Sequence, residues 1–185
     1  MTSLDNLSHY VRVYDNAFPK HLCQELIKGF EDRSEKSIRQ EYNGYPNFHL
    51  MYVAKMKNRT LGSSVSHHLN DVYQKYKKDI NQDFFPKKPI TMSQPKVKKY
   101  DMGTDDRYDR HVDITNQVDA KRYVAFLIFL NTVEEGGSTV FDSIGTVNAV
   151  QGRCIVFPPN WLYPHAGLRA ISDNKYILSA YGLYK

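Results

Sequence analysis

Three residues of this 185-residue chain have the types and spacing to hold a metal: His111 and Asp113, two apart, and His165 far downstream. Residues two apart on a β-strand project to the same face. One further histidine brought in from a distant strand would set two imidazoles and one carboxylate on one side of an ion. That donor set suits a non-heme Fe(II) centre and leaves adjacent coordination positions open, enough for a chelating cosubstrate and O2. Lys175 lies ten residues after His165, on the next strand-like run, where it could anchor the far carboxylate of such a cosubstrate. A lysine beside Tyr176 and Ile177 is costly to bury without an anion. Its alternative is a surface lysine whose ammonium snorkels to water.

Bringing these residues together requires a β core. After Pro86-Lys87-Lys88-Pro89, short strand-like runs occupy about 91–100, 107–112, 121–130, 138–141, 146–150, 153–158, 164–170 and 175–184. Turn signals separate them: Gly103, Gly136-Gly137, Gly145, Gly152, Pro158-Pro159 and Asp173-Asn174. Short strands at this spacing predict a jelly roll or small barrel. His111-x-Asp113 closes the second run, His165 falls on the seventh and Lys175 opens the eighth. In a jelly roll the second and seventh strands can pair, so the three ligand candidates can meet at one mouth.

Upstream, residues 10–18 alternate like a strand as far as Pro19, which can open a helix. Leu22, Cys23, Leu26, Ile27 and Phe30 then recur at helical spacing through about residue 32. Tyr42-Asn43-Gly44-Tyr45-Pro46 reads as a turn or loop. Val65, Leu69, Val72, Tyr73 and Tyr76 predict an amphipathic helix over about 63–80. His67 and His68 on that helix diverge and read as surface histidines. The expected fold is mainly β with N-terminal helices: one domain over 1–185, with a helical support region (about 1–88) against a double-stranded β-helix, or jelly-roll, core (about 89–185).

The net charge of +5 is uneven, with 17 basic and 10 acidic side chains in residues 1–100 against 8 and 10 in 101–185. The excess gathers at Lys75, Lys77, Lys78, Lys87, Lys88, Lys96, Lys98 and Lys99. Such runs can bind nucleic acid or an acidic surface, although a solvated face is the more ordinary meaning. Cys23 and Cys154, the two cysteines, argue against a disulfide scaffold and read as buried free thiols in a reducing compartment. The start of the chain lacks the basic-then-apolar pattern of a signal peptide. The longest apolar run, Tyr123 to Leu130, has the length of a buried strand. The expected location is cytoplasmic, without a membrane partner.

From Tyr100 onward the chain resembles the 2-oxoglutarate- and Fe(II)-dependent oxygenases, in their prolyl 4-hydroxylase-like branch. The resemblance rests on Tyr108-Asp109-Arg110-His111-Val112-Asp113, on Phe126-Leu127-Ile128-Phe129-Leu130-Asn131 and on Glu135-Gly136-Gly137-Ser138-Thr139-Val140-Phe141. Gly152-Arg153-Cys154-Ile155-Val156-Phe157, Pro164-His165-Ala166-Gly167 and Asn174-Lys175-Tyr176-Ile177 complete it. Each piece is common alone; the ordered set is specific. It covers roughly the last 85 residues clearly and the remainder loosely.

The resemblance implies roles residue by residue. His111, Asp113 and His165 would be the iron ligands, and Lys175 would pair with the C5 carboxylate of 2-oxoglutarate. Tyr100 and Thr139 would line the cosubstrate pocket, and Tyr108 and Arg110 would flank it toward substrate. Trp161 would line a substrate groove or fill the core. Two residues depart from the pattern: Phe129 stands where some relatives have a tyrosine on the C5 carboxylate, and Tyr181 where many have a tryptophan.

Fe(II), 2-oxoglutarate and O2 follow as cofactors and cosubstrates, with ascorbate as a candidate reductant. The carboxylate ligand favours hydroxylation, since related halogenases lack it. The branch favours a prolyl residue of a peptide or protein, held in a groove around 42–46 and 86–99. A small-molecule substrate stays open. A nucleic-acid substrate ranks low, because only Arg169 and Lys175 stand where such enzymes carry paired arginines. The rival of another class is a non-catalytic jelly-roll binding module, for which Lys175 has no purpose.

Overall fold

The computed structural model describes residues 7–42, 45–81, 85–86, 91–142 and 144–184. In chain order its principal elements are β1 (Arg12–Tyr14), α1 (Lys20–Glu31), β2 (Ile38–Tyr42), β3 (Tyr45–Tyr52), α2 (Leu61–Ile80), β4 (Thr91–Met92) and β5 (Lys96–Tyr100). There follow β6 (Tyr108–His111), β7 (Arg122–Phe129), β8 (Thr139–Phe141), β9 (Gly145–Val147), β10 (Cys154–Phe157), β11 (His165–Gly167) and β12 (Lys175–Leu183).

Alternation along the longest strands builds the architecture. On β7, Val124, Phe126 and Ile128 join the cluster that includes Leu22, Leu26, Val65 and Leu69 of the helices. Ala125 and Phe129 join a second cluster with Phe48, Phe141, Phe157 and Ile177. A strand's period of two sends neighbours to opposite faces, so one strand serves two cores. The eight-stranded sheet runs β1-β10-β7-β12-β5-β3-β2, with β4 added on β12; the four-stranded sheet runs β6-β11-β8-β9. All the pairings are antiparallel. Helices α1 and α2 cover one face of the larger sheet. The second cluster lies between the two sheets, the arrangement of a jelly roll. Both cysteines are buried free thiols, and no described helix is long and apolar enough to cross a membrane.

Several expectations are corrected. The strand expected over 10–18 shrinks to three residues, because Asn16 turns to a left-handed φ of 54°. The run expected over 91–100 is two strands, parted around Pro95, which has no N–H to donate to a ladder. The polar stretch between the helices, expected as a loop, instead supplies β2 and β3, and β3 pairs with β5. Its polar composition hid Phe48 and Leu50, which alternate inward. Asn43, Gly44, Lys87 and Lys88 lie outside the described residues.

One turn needs its glycines. Gly136 has φ +77°, and a Cβ there would stand 2.3 Å from the Arg169 carbonyl oxygen. The Gly137 N–H donates to that same oxygen at 2.6 Å. The Gly-Gly pair thus clamps the approach to β8 against the end of β11, which carries His165.

Candidate metal centre and active-site cavity

β6 and β11 pair so that His111 stands directly opposite His165. Asp113 lies two residues past the end of β6, and its carboxylate turns back toward both rings. The ligand atoms of the three side chains all lie within 4.8 Å of one another. His111 Nδ1 donates to the Asp109 carbonyl at 2.8 Å and His165 Nδ1 to the Tyr163 carbonyl at 3.1 Å. A carbonyl can only accept, so each Nδ1 carries a proton and each Nε2 is the ring nitrogen turned toward the cluster.

Burial pulls the His165 pKa down to about 4, against the partial pull of Asp113, so the ring is neutral. Burial pushes Asp113 up, but His111, His165 and Lys98 together outweigh it and hold the carboxyl at about 2. His111 Nε2 is buried without a hydrogen-bond partner. Two ring nitrogens and a carboxylate converging within 4.8 Å form a donor set for a divalent cation. The residues therefore fit a divalent metal.

Neighbouring side chains hold the donors still. Tyr108 stacks on His111 at 3.6 Å between centroids, and Phe141 and Phe157 flank His165. The Tyr181 hydroxyl donates to Asp113 Oδ1 at 2.9 Å. Arg122 donates to the Asp113 carbonyl at 2.7 Å and lies over the Tyr181 ring. The sequence reading missed this support, although a signal was present: positions 175, 177, 179 and 181 share one face of β12.

Lys175 opens that same face. It is only 1% exposed, and its Nζ lies 5.0 Å from the Tyr100 ring centroid and 5.6 Å from that of Phe129. It makes no ion pair or hydrogen bond among the described residues. Burial, helped by the charge of Lys98, pushes its pKa down to about 7. The Thr139 hydroxyl is likewise buried and unpartnered. Lys175, Tyr100 and Thr139 line one pocket with the His-Asp-His cluster. An anion beside the metal position would satisfy both the ammonium and the hydroxyl.

A second cavity of about 510 Å3 opens outward from the cluster, with Tyr108 and Arg110 in its wall. Arg110 is paired with Asp142. Trp161 is 75% exposed and lines neither cavity. Lys98, expected in a basic run and within the 86–99 stretch of the substrate groove, lines both. The groove expected around 42–46 and 86–99 is represented in this wall by the strand residues Lys96 and Lys98.

The sequence profile of the 2OG-Fe(II) oxygenase superfamily matches residues 95–182, the stretch that holds all three ligand candidates and Lys175. Residues 95–182 belong to that superfamily. Over that stretch the chain is 2-oxoglutarate oxygenase-like in sequence, and as a whole it is prolyl hydroxylase-like in fold. Among solved structures, the chain is similar to the viral collagen prolyl hydroxylase of Paramecium bursaria Chlorella virus-1 in its 2OG complex. There the TM-score is 0.71 at 19% identity, covering 95% of this chain and 97% of that one. A Pseudomonas putida prolyl-4-hydroxylase gives 0.72 at 19% identity, covering 98% and 96%. A Trichoplax adhaerens prolyl hydroxylase, in complex with a hypoxia-inducible-factor peptide fragment, gives 0.71 at 14% identity, covering 95% and 84%. At these identities the likeness is one of fold. No curated protein sequence matches the oxygenase.

Proposed function

We propose that this dioxygenase hydroxylates a prolyl residue of a peptide or protein, converting 2-oxoglutarate and O2 to succinate and CO2. His111, Asp113 and His165 hold Fe(II), and Lys175 holds the distal carboxylate of 2-oxoglutarate. The observation that carries this reading is the pairing of two features in one pocket: a converging His-Asp-His cluster whose His111 Nε2 is buried without a hydrogen-bond partner, and a buried ammonium that no described residue pairs. When bound, the metal and cosubstrate supply the oxidising power to insert oxygen into an unactivated C–H bond.

The chain's own residues position, orient and shield. The Nδ1–carbonyl bonds aim both Nε2 atoms inward, and Tyr181 and Arg122 fix the Asp113 carboxylate. Tyr100 and Phe129 wall Lys175 from water, which strengthens its attraction for a carboxylate. Thr139 offers a hydroxyl to the same ligand. The wider cavity receives the substrate past Tyr108 and Arg110. Residues 1–185 act as one unit in this reading, and ascorbate serves as an external reductant.

Anaerobic titration of the apo-protein with Fe(II) and 2-oxoglutarate tests the reading. A visible charge-transfer band is expected in the wild type, absent in His165→Ala and moved to higher cosubstrate concentration in Lys175→Ala. Proline-containing peptides incubated with the loaded enzyme in air should then gain one oxygen atom by mass. No band at saturating metal and cosubstrate would sink the proposal in favour of a binding module.

A further inference from the structure

The active-site cavity holds one positive charge more than its own groups and its cofactors offset. Asp113 is ionised, Lys98 and Lys175 are both buried in the same pocket, and metal-bound imidazoles are neutral ligands. Fe(II) and the 2-oxoglutarate dianion add equal and opposite charge, so loading the site leaves the surplus unchanged. Lys175 is matched to the cosubstrate. Lys98 is left over.

Its surroundings make that surplus costly. Lys98 is 9% exposed, and its Nζ sits 4.8 Å from the ring centroids of both Phe48 and Tyr108. It makes no ion pair or hydrogen bond among the described residues. Burial lowers its pKa to about 8, and Asp113 only partly restores it. The acids in the wall of the wider cavity cannot help: Asp109 is paired with Arg107, and Asp119 with Arg122. Lys96, on the same face of β5, meets the ring of Tyr52 and no acid among the described residues. A buried ammonium between two rings, at the junction of the metal pocket and the substrate cavity, lacks one anionic ligand.

We infer that Lys98 anchors a carboxylate of the substrate, so that the enzyme selects a target carrying a carboxylate close to the carbon it oxidises. This rests on the 2-oxoglutarate oxygenase reading above. A single carboxylate supplies the one missing charge, whereas a phosphate would overshoot it. Two sources share this chemistry: the α-carboxylate of a free or C-terminal proline, and an aspartate or glutamate side chain beside a proline within a peptide. Lys98 thereby sets specificity, and Lys175 sets cosubstrate affinity.

Calorimetry on the anaerobic Fe(II)–2-oxoglutarate enzyme tests the assignment with matched probes: L-proline against L-prolinamide, and end-blocked Asp-Pro and Pro-Asp peptides against their Asn counterparts. The wild type should bind at least one carboxylate probe about tenfold more tightly than its amide. The first pair reports an α-carboxylate and the others a side chain. The preference should vanish in Lys98→Met and Lys98→Gln and persist in Lys98→Arg. The charge-transfer band should still form at saturating cosubstrate in every variant that melts cooperatively. No preference in the wild type, including binding of neither member, overturns the inference. So does a preference that survives Lys98→Met, or a band lost in Lys98→Met, which would assign Lys98 to the cosubstrate. Absence of the band in the wild type is the distinct result that removes the underlying oxygenase reading.

Discussion

The two faces of the larger sheet are built from alternate residues of the same strands and obey opposite rules. On the helix side, β12 presents Tyr176, Leu178 and Ala180, and β7 presents Val124, Phe126 and Ile128. On the cavity side, β12 presents Lys175, Ile177, Ser179 and Tyr181, and β5 presents Lys98 and Tyr100. The first face removes apolar surface from water at about 25 cal/mol per Å2. The second buries two ammoniums, a carboxylate and an unpartnered hydroxyl, each of which costs stability until a ligand arrives. The comparison teaches that one face holds the fold together and the other is held in a poised, unsatisfied state by it.

The largest expected effect breaks the supporting face. Phe126→Ala removes a fully buried ring that packs against Tyr73. It should cost about 3–5 kcal/mol of stability, measured by denaturant unfolding, and metal binding should fail only where the fold does. Lys175→Met sharpens the contrast by reversing the sign. Replacing an uncompensated buried ammonium with an apolar chain should stabilise the apo-protein by roughly 1–4 kcal/mol, while cosubstrate binding weakens. A Lys175→Met protein that melts below the wild type would show that Lys175 already has an internal partner. Tyr181→Phe is subtler. It deletes the hydroxyl on Asp113 and keeps the ring over which Arg122 lies, so metal affinity should fall about 10–100-fold with little change in melting temperature.

The same contrast explains which parts were legible in the sequence. Alternation and turn residues predicted β6 to β12 to within a few residues, because each strand's period is written in its own side chains. His111, Asp113 and His165 were legible as a set because ligand type and strand order are sequence properties, and the structure gathers them within 4.8 Å. The β2–β3 hairpin was not, since its membership depends on pairing with β5, fifty residues away along β3's register from His49 to Lys99. Which way Lys98 faces was not legible for a related reason. In Lys96-Val97-Lys98-Lys99 the charges look like a solvated run, yet Lys99 reaches Glu31 on the helix side while Lys98 turns into the cavity. Composition identified the charges, but only the sheet decides which side each faces. The Tyr181–Asp113 bond likewise joins residues 68 apart.

The smallest and most diagnostic effect is the pH dependence that Lys175 imposes. Its pKa is about 7 in the folded apo-protein against an ordinary 10.5. Below pH 7 both the folded and unfolded chains hold the proton, and the full cost of burying the ammonium is present. Between about pH 7 and 10.5 the unfolded chain binds more protons, so this group makes stability rise with pH, by at most about 1.4 kcal/mol per unit. The advantage of Lys175→Met over the wild type should therefore shrink as pH rises from 7 toward 9. Cosubstrate binding carries the opposite slope, because a carboxylate binds the ammonium and not the amine. Groups facing Nζ are the Tyr100 ring from β5 and the Phe129 ring from β7, with Lys98 the nearest charge named among its influences. Burial holds the Tyr100 hydroxyl well above its usual pKa, so it stays neutral throughout. Wild-type affinity for 2-oxoglutarate should be flat below pH 7 and weaken above it, by up to about tenfold per unit. Lys175→Arg keeps its charge at every pH, so whatever its absolute affinity, the Lys175 component of that slope should disappear. An unchanged slope in Lys175→Arg would place the responsible proton elsewhere in the cavity, with Lys98 the first group to substitute next.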